Sequence, residues 1–287
     1  MTVVLTGGTG FLGSALLPLL AAQGEVVALH RPSVQPPPQP GVRWVAQDLA
    51  APLSAELPDA ADAVVHLAQS RLYREFPEQA IDVFAVNTAM TVQLLDYARR
   101  AGAGAFVYAS SGAVYASGPA PVTESDTPQP GNFYAASKLA GELATEQYRG
   151  LLRAHVLRFF FIYGPGQRNM FIPGVLGRVR EGQEVTLAGP DGIHVNPVYV
   201  DDAAAAVAAT LELDDSATLN VAGPDVVSVR EIAEIGGGLL GREPAFTIGD
   251  PQPDLVATID RLRAAGAAPK VSVAEGLRRT VEEVQAN

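Results

Sequence analysis

The stretch that most constrains this chain is its start. Residues 3–17 read VVLTGGTGFLGSALL, an apolar β-branched run, a turn with Gly7, Gly10 and Gly13 three apart, and then a helical run. Strand, glycine turn and helix in direct succession leave the first helical N–H groups without backbone partners. They and the positive end of the helix dipole aim at one point. Such a point suits a pyrophosphate. A merely tight turn is the competing reading, and the spacing is not the common G-x-G-x-x-G, so the glycines alone do not decide.

Short β-branched runs then alternate with longer helical ones. Strands are expected at 2–6, 25–30, 42–46, 63–68, 105–109 and 154–162, and helices at 11–22, 77–101 and 133–149. Runs such as AVVHLA and AFVYAS are apolar on both faces, as strands are when helices cover both sides of a parallel sheet. The expected fold is α/β: a Rossmann-type doubly wound parallel sheet over 1–164, then a smaller C-terminal substrate lobe over 165–287, some segments of which return to the first domain. Pro18 should kink the first helix, and the glycines at 236–238 weaken a later one. The Pro-rich 32–40 reads as an extended loop.

Composition narrows the partners. With 20 basic against 31 acidic residues the net charge is −11, which repels a phosphate backbone, so nucleic acid is not expected as a partner. The chain has no cysteine, which excludes disulfides and thiolate chemistry and fits a reducing compartment. The start lacks a basic segment ahead of its apolar run, and the apolar stretch 203–211 is far shorter than a membrane span needs. A soluble, cytoplasmic protein with no membrane partner is expected. His30, His66, His155 and His194 show no metal-ligand spacing, so no metal is expected.

One pair stands out from this background. Tyr134 and Lys138 lie four apart in NFYAASKLAGE, on one face of the expected helix. Only two of the 20 basic residues are lysine, Lys138 and Lys270, so a lysine at 138 is not a generic positive charge. A free tyrosine titrates near 10, and a fixed ammonium beside it should favour the phenolate and bring it toward neutrality. Ordinary helix surface is the alternative.

TGGTGFLG, DL at 48–49, HLAQ at 66–69, VNTAMTVQLL at 86–95, YASSGAVY at 108–115, YAASK at 134–138, LRFFFIYGPGQ at 157–167 and the tail from Asp260 follow one another in order. This set resembles the extended short-chain dehydrogenase/reductase family, also called the NAD-dependent epimerase/dehydratase family. The resemblance implies Tyr134 as general acid/base, Lys138 as its partner and Ser111, rather than the adjacent Ser110, as the hydroxyl on the reacting oxygen. It implies a cofactor lined by Gly7, Gly10, Phe11, Leu12, Gly13, Asp48, Leu49, Leu67, Ala68, Gln69 and Phe160, together with Tyr134 and Lys138, with Asn87 behind the site. His66 reads as a core histidine. A homodimer is also expected.

Hydride transfer at a ketone or secondary alcohol is the expected reaction, because dehydratases of the family carry an acid just after the serine where this chain has Gly112 and Ala113. A sugar-nucleotide 4-epimerase with tightly bound NAD and a non-catalytic dinucleotide binder are the alternatives. His30 and Arg31 end the second strand where NAD-selective relatives carry an acid, so NADP is favoured over NAD. The substrate is a small carbonyl, alcohol or sugar, contacted by Arg71, Ser111, Phe161 and Arg168, with Arg74 available nearby. Relatives that use nucleotide-diphosphate sugars usually carry Asn at the position of Phe161 and Arg at that of Val195. A smaller or more apolar substrate is therefore expected, with Phe161, Phe171 and Tyr199 around it.

Overall fold

A computed structural model describes residues 1–53 and 56–286. Along the chain run β1 (Thr2–Thr6), α1 (Phe11–Ala21), β2 (Glu25–His30), β3 (Val42–Ala46), β4 (Ala63–His66), α2 (Ala80–Phe84), a π-helical turn (Ala85–Ala89), α3 (Met90–Arg100), β5 (Ala105–Ser111), α4 (Phe133–Gln147) and β6 (Arg153–Phe159). There follow α5 (Phe171–Glu181), β7 (Val185–Ala188), β8 (His194–Val195), α6 (Val200–Thr210), β9 (Thr218–Val221), β10 (Val227–Ser228), α7 (Val229–Leu240), β11 (Phe246–Gly249), α8 (Asp260–Ala264) and α9 (Val273–Ala286).

The main sheet has the order β3-β2-β1-β4-β5-β6-β9, and all its pairings are parallel. The β-branched residues of its strands are buried on both faces. Val3, Leu5, Val65 and Val107 pack on one side with α1 and α6, and Val4, Val64, Phe106 and Tyr108 on the other with α3. Two-sided burial explains why these strands read as continuous apolar runs. The order reverses between β1 and β4, so a crevice opens at the C-terminal ends of those two strands.

β9 lies beyond residue 165 yet completes the main sheet, and Ala203, Val207, Ile259 and Leu262 belong to the same core. Tyr163 and the C-terminal residues Ile172, Leu187, Val195, Ile232 and Leu277 form a second core, with two small sheets, β10-β8 and β11-β7. Among the described residues no helix is long and apolar enough to cross a membrane.

Several expected boundaries move. The helix expected at 77–101 is divided by the π-helical turn. β6 ends at Phe159, three residues early, because Phe161 takes a φ of 44° that no strand accommodates. The glycines at 236–238 stay inside α7. A side chain at Gly236 would meet Leu176 of α5 at 2.4 Å, so close helix packing offsets the weak local propensity.

Candidate active site

The glycine turn is shaped for a ligand to approach. Gly7 has φ 76°, and a Cβ there would stand 2.8 Å from the Ala68 nitrogen; a Cβ on Gly13 would stand 2.1 Å from the Gly7 oxygen. Only glycine permits this packing of α1 against the two strand ends. Gly10 caps α1 with no side-chain hydrogen bond, so the first N–H groups of that helix are free for an anion. A dinucleotide pyrophosphate fits this cradle.

A cleft of about 1180 Å³ runs from the turn across the strand ends. It is lined by Gly7, Gly10, Phe11, Leu12, Gly13, His30, Arg31, Asp48, Leu49, Leu67, Ala68, Gln69, Ser111, Tyr134, Lys138 and Phe160, and by Arg71, Phe161 and Arg168. Asn87 lies behind it: its Oδ1 accepts from the Ser70 N–H at 2.9 Å, and its Nδ2 donates to Ser137 Oγ at 3.0 Å. The π-helical turn that holds Asn87 fits the frequent occurrence of such turns at functional sites.

Arg31 is lowered from its usual range, by burial first, then by repulsion from Arg71, with Asp48 opposing. Arg71, expected at the substrate, lines the same cleft and is near enough to Arg31 to repel it. The His30 ring is fixed by Nδ1 on the Arg31 carbonyl at 2.9 Å.

Ser111 ends β5 and caps a short 3₁₀ turn, its Oγ accepting from the Ala113 N–H at 3.2 Å. Tyr134 enters from the first turn of α4, whose start is capped by Asn132 Oδ1 accepting from the Ala135 N–H at 2.9 Å. The Tyr134 hydroxyl donates to Gln69 Oε1 at 3.0 Å. Lys138, one turn on and 1% exposed, donates from Nζ to the Ala109 carbonyl at 2.9 Å.

The electrostatics differ from the sequence expectation. Burial pushes the half-buried Tyr134 phenol up to about 12, outweighing the Ser111 hydrogen bond that favours the phenolate, and Tyr73 adds to the rise. Burial draws the Lys138 ammonium down to about 7, with Glu142 opposing. Desolvation, not the nearby lysine, dominates the tyrosine.

His66 is fully buried below the turn, its Nδ1 2.6 Å from Thr6 Oγ1 and its pKa lowered to about 3 by burial. It is held neutral in the core. Tyr199 and Val195 do not reach the cleft. Tyr199 belongs to the core of the small lobe, packed edge-on against Tyr163, and Val195 is buried in β8. Apolar residues beyond the expected set do line it: Leu72, Tyr73, Ile162, Met170, Ile172 and Leu255. Tyr73 and Met170 adjoin expected residues in sequence. Leu255 carries no local signal, and only the pairing of its segment with β8 brings it in.

Known proteins share this architecture. A model of the NAD dependent epimerase/dehydratase family matches residues 3–222. The chain is 31% identical to a UDP-glucose 4-epimerase of Mycolicibacterium smegmatis, over 98% of each chain. It is 28% identical to a dTDP-4-dehydro-6-deoxy-D-allose reductase of Streptomyces bikiniensis, over 88% of this chain and 85% of that one. Among solved structures, the UDP-glucose 4-epimerase of Thermus thermophilus in complex with NAD superposes with a TM-score of 0.83 at 30% identity, over 99% of both chains. With the matched segment running from β1 through β9, the chain belongs to the NAD-dependent epimerase/dehydratase family.

Proposed function

We propose that this NAD(P)-dependent enzyme of the epimerase/dehydratase family transfers hydride at a ketone or secondary alcohol, with Tyr134 as the general acid/base. The observation that carries the reading is that Ser111, Tyr134 and Lys138 line the same cleft as the glycine turn. A bound nicotinamide supplies or accepts the hydride. Tyr134, protonated at neutral pH, gives its proton to the carbonyl oxygen, and Ser111 holds that oxygen. Lys138, whose Nζ donates to the Ala109 carbonyl, would be the residue that holds the cofactor's ribose. Gly112 weighs against elimination. A side chain there would stand 2.6 Å from the Phe160 ring, so an added acid has no room.

NADP(H) is the favoured cofactor. Arg31, a cation lining the cleft at the end of β2 in an acidic protein, would take a 2′-phosphate. The substrate lobe is read as starting at 165, with 200–222 and 257–265 returned to the dinucleotide domain. The substrate is read as smaller or more apolar than a nucleotide sugar, since Phe161 and Leu255 offer no hydrogen bond to a diphosphate. A homodimer is read from the exposed apolar side chains Phe76, Ile81, Phe84 and Leu143 on or beside α2 and α4. A cytoplasmic location, which fractionation would check, completes the reading.

Sugar-nucleotide 4-epimerisation is the second reading, favoured by the 31% identity to an enzyme of that name. A panel of carbonyls and nucleotide sugars, followed by nicotinamide absorbance and product analysis, separates the two. Net loss of reduced nicotinamide with alcohol formation supports the oxidoreductase. Sugar inversion without net absorbance change contradicts it, and so does binding with neither.

A further inference from the structure

We propose that the cleft next to Tyr134 ends in an aromatic-walled subsite that takes a planar apolar ring attached to the reacting carbonyl, and that Phe161 is its specificity-determining residue. The inference rests on the hydride-transfer reading above. Phe161 has φ 44°, in the left-handed region that bulky aromatic residues seldom adopt and asparagine tolerates. Retaining an aromatic ring on a strained backbone at the cleft wall points to a use for that ring.

The ring is fixed. It lies 5.2 Å from the Phe171 ring, tilted by 47°, and packs against both the sheet core and the lobe core. On the catalytic side the Tyr73 ring stands 4.9 Å from that of Tyr134. Tyr73 is itself tied across the cleft: its hydroxyl meets Met170 Sδ at 3.7 Å, and Arg74 lies over its ring while donating to the Asn169 carbonyl at 3.3 Å. Ile162, Ile172 and Leu255 complete an apolar lining, and Arg168, also lining the cleft, is exposed. Against the apolar wall of Phe161, Phe171, Ile162, Ile172 and Leu255 a sugar hydroxyl finds no hydrogen-bond partner, whereas a ring gains stacking and edge contacts.

In the reduction, hydride passes from C4 of the reduced nicotinamide to the carbonyl carbon. The Tyr134 proton goes to the oxygen, leaving a secondary alcohol and oxidised cofactor, and solvent restores the proton. The test compares kcat/KM for acetophenone, 2-butanone and dihydroxyacetone at saturating reduced cofactor, and for UDP-glucose at saturating oxidised cofactor, in wild type, Phe161→Leu and Phe161→Asn, with thermal melting to verify folding. Wild type should favour acetophenone over dihydroxyacetone by about tenfold or more, and Phe161→Asn should lower the acetophenone to 2-butanone ratio by about tenfold, mainly through KM. Phe161→Leu should lower it less. The inference is overturned if wild type uses dihydroxyacetone or UDP-glucose as well as acetophenone, or if folded Phe161→Asn keeps the wild-type ratio. If only polar ketones consume reduced cofactor, the hydride-transfer reading stands and this one falls; if no ketone does, both fall.

Discussion

At Tyr134 the phenol stays protonated through the neutral range, because burial outweighs the hydrogen bond from Ser111. That suits a proton donor to a ketone better than a ready-made base. Lys138, drawn down to about 7, holds its charge only on the acidic side of neutrality unless a ligand changes its surroundings. Arg31 raises a separate question of cofactor choice. Charged hydrogen bonds of the kind it offers a 2′-phosphate contribute about 1.5–3 kcal/mol. Arg31→Ala should therefore weaken NADP(H) binding roughly ten- to hundredfold and leave NAD(H) nearly unchanged. Calorimetric titration with both cofactors checks this, and equal or tighter wild-type binding of NAD(H), unmoved by the substitution, would remove the NADP reading. That Tyr134, Lys138 and Ser111 would line one cleft was legible in the sequence because each sits in a short motif tied to one element. Tyr199 was not, since an aromatic beside a motif gives no sign whether it faces a cleft or a core. The raised phenol was illegible too, because desolvation depends on what the rest of the chain lays over the ring.

Among the elements, α4 carries more than Tyr134 and Lys138. One turn beyond Lys138, Glu142 is 1% exposed and meets Arg158 of β6 through Nε at 3.0 and 3.1 Å and Nη2 at 2.6 Å, while Ser110 of β5 donates to the same carboxylate. Arg158 Nη1 donates to the Tyr115 hydroxyl at 2.6 Å, which in turn donates to Asn220 Oδ1 of β9 at 2.9 Å. One polar network thus joins three strands of the sheet to the helix that holds Tyr134. Removing one partner of a buried pair strands the other charge, so Glu142→Ala should cost about 3–5 kcal/mol in denaturant unfolding. A loss below about 1 kcal/mol would show that the network does not hold these elements together. β1, α1, β2 and β3 were legible from apolar period and the glycine turn. The early end of β6 and the π-helical turn were not, because both follow from local backbone geometry that apolar patterning does not encode.

For the whole molecule, the doubly wound order was legible because strands buried on both faces leave a distinctive apolar run. The return of β9 to the main sheet was not visible in its four residues, TLNV, which fit a strand of either core. Ile81 is 87% exposed and Phe76 56%, an apolar face suited to a second copy. Sedimentation should find a dimer in wild type and a shift toward monomer in Ile81→Asp; a monomeric wild type would refute the homodimer. Hydride transfer through Tyr134 is tested most directly by pairing wild type with Tyr134→Phe, which removes a single hydroxyl. With a carbonyl substrate verified by product analysis, wild type should consume reduced nicotinamide. The variant should bind cofactor nearly as well yet turn over about a hundredfold or more slowly. Near wild-type kcat in Tyr134→Phe, or sugar inversion with no net change in nicotinamide absorbance in wild type, would contradict it.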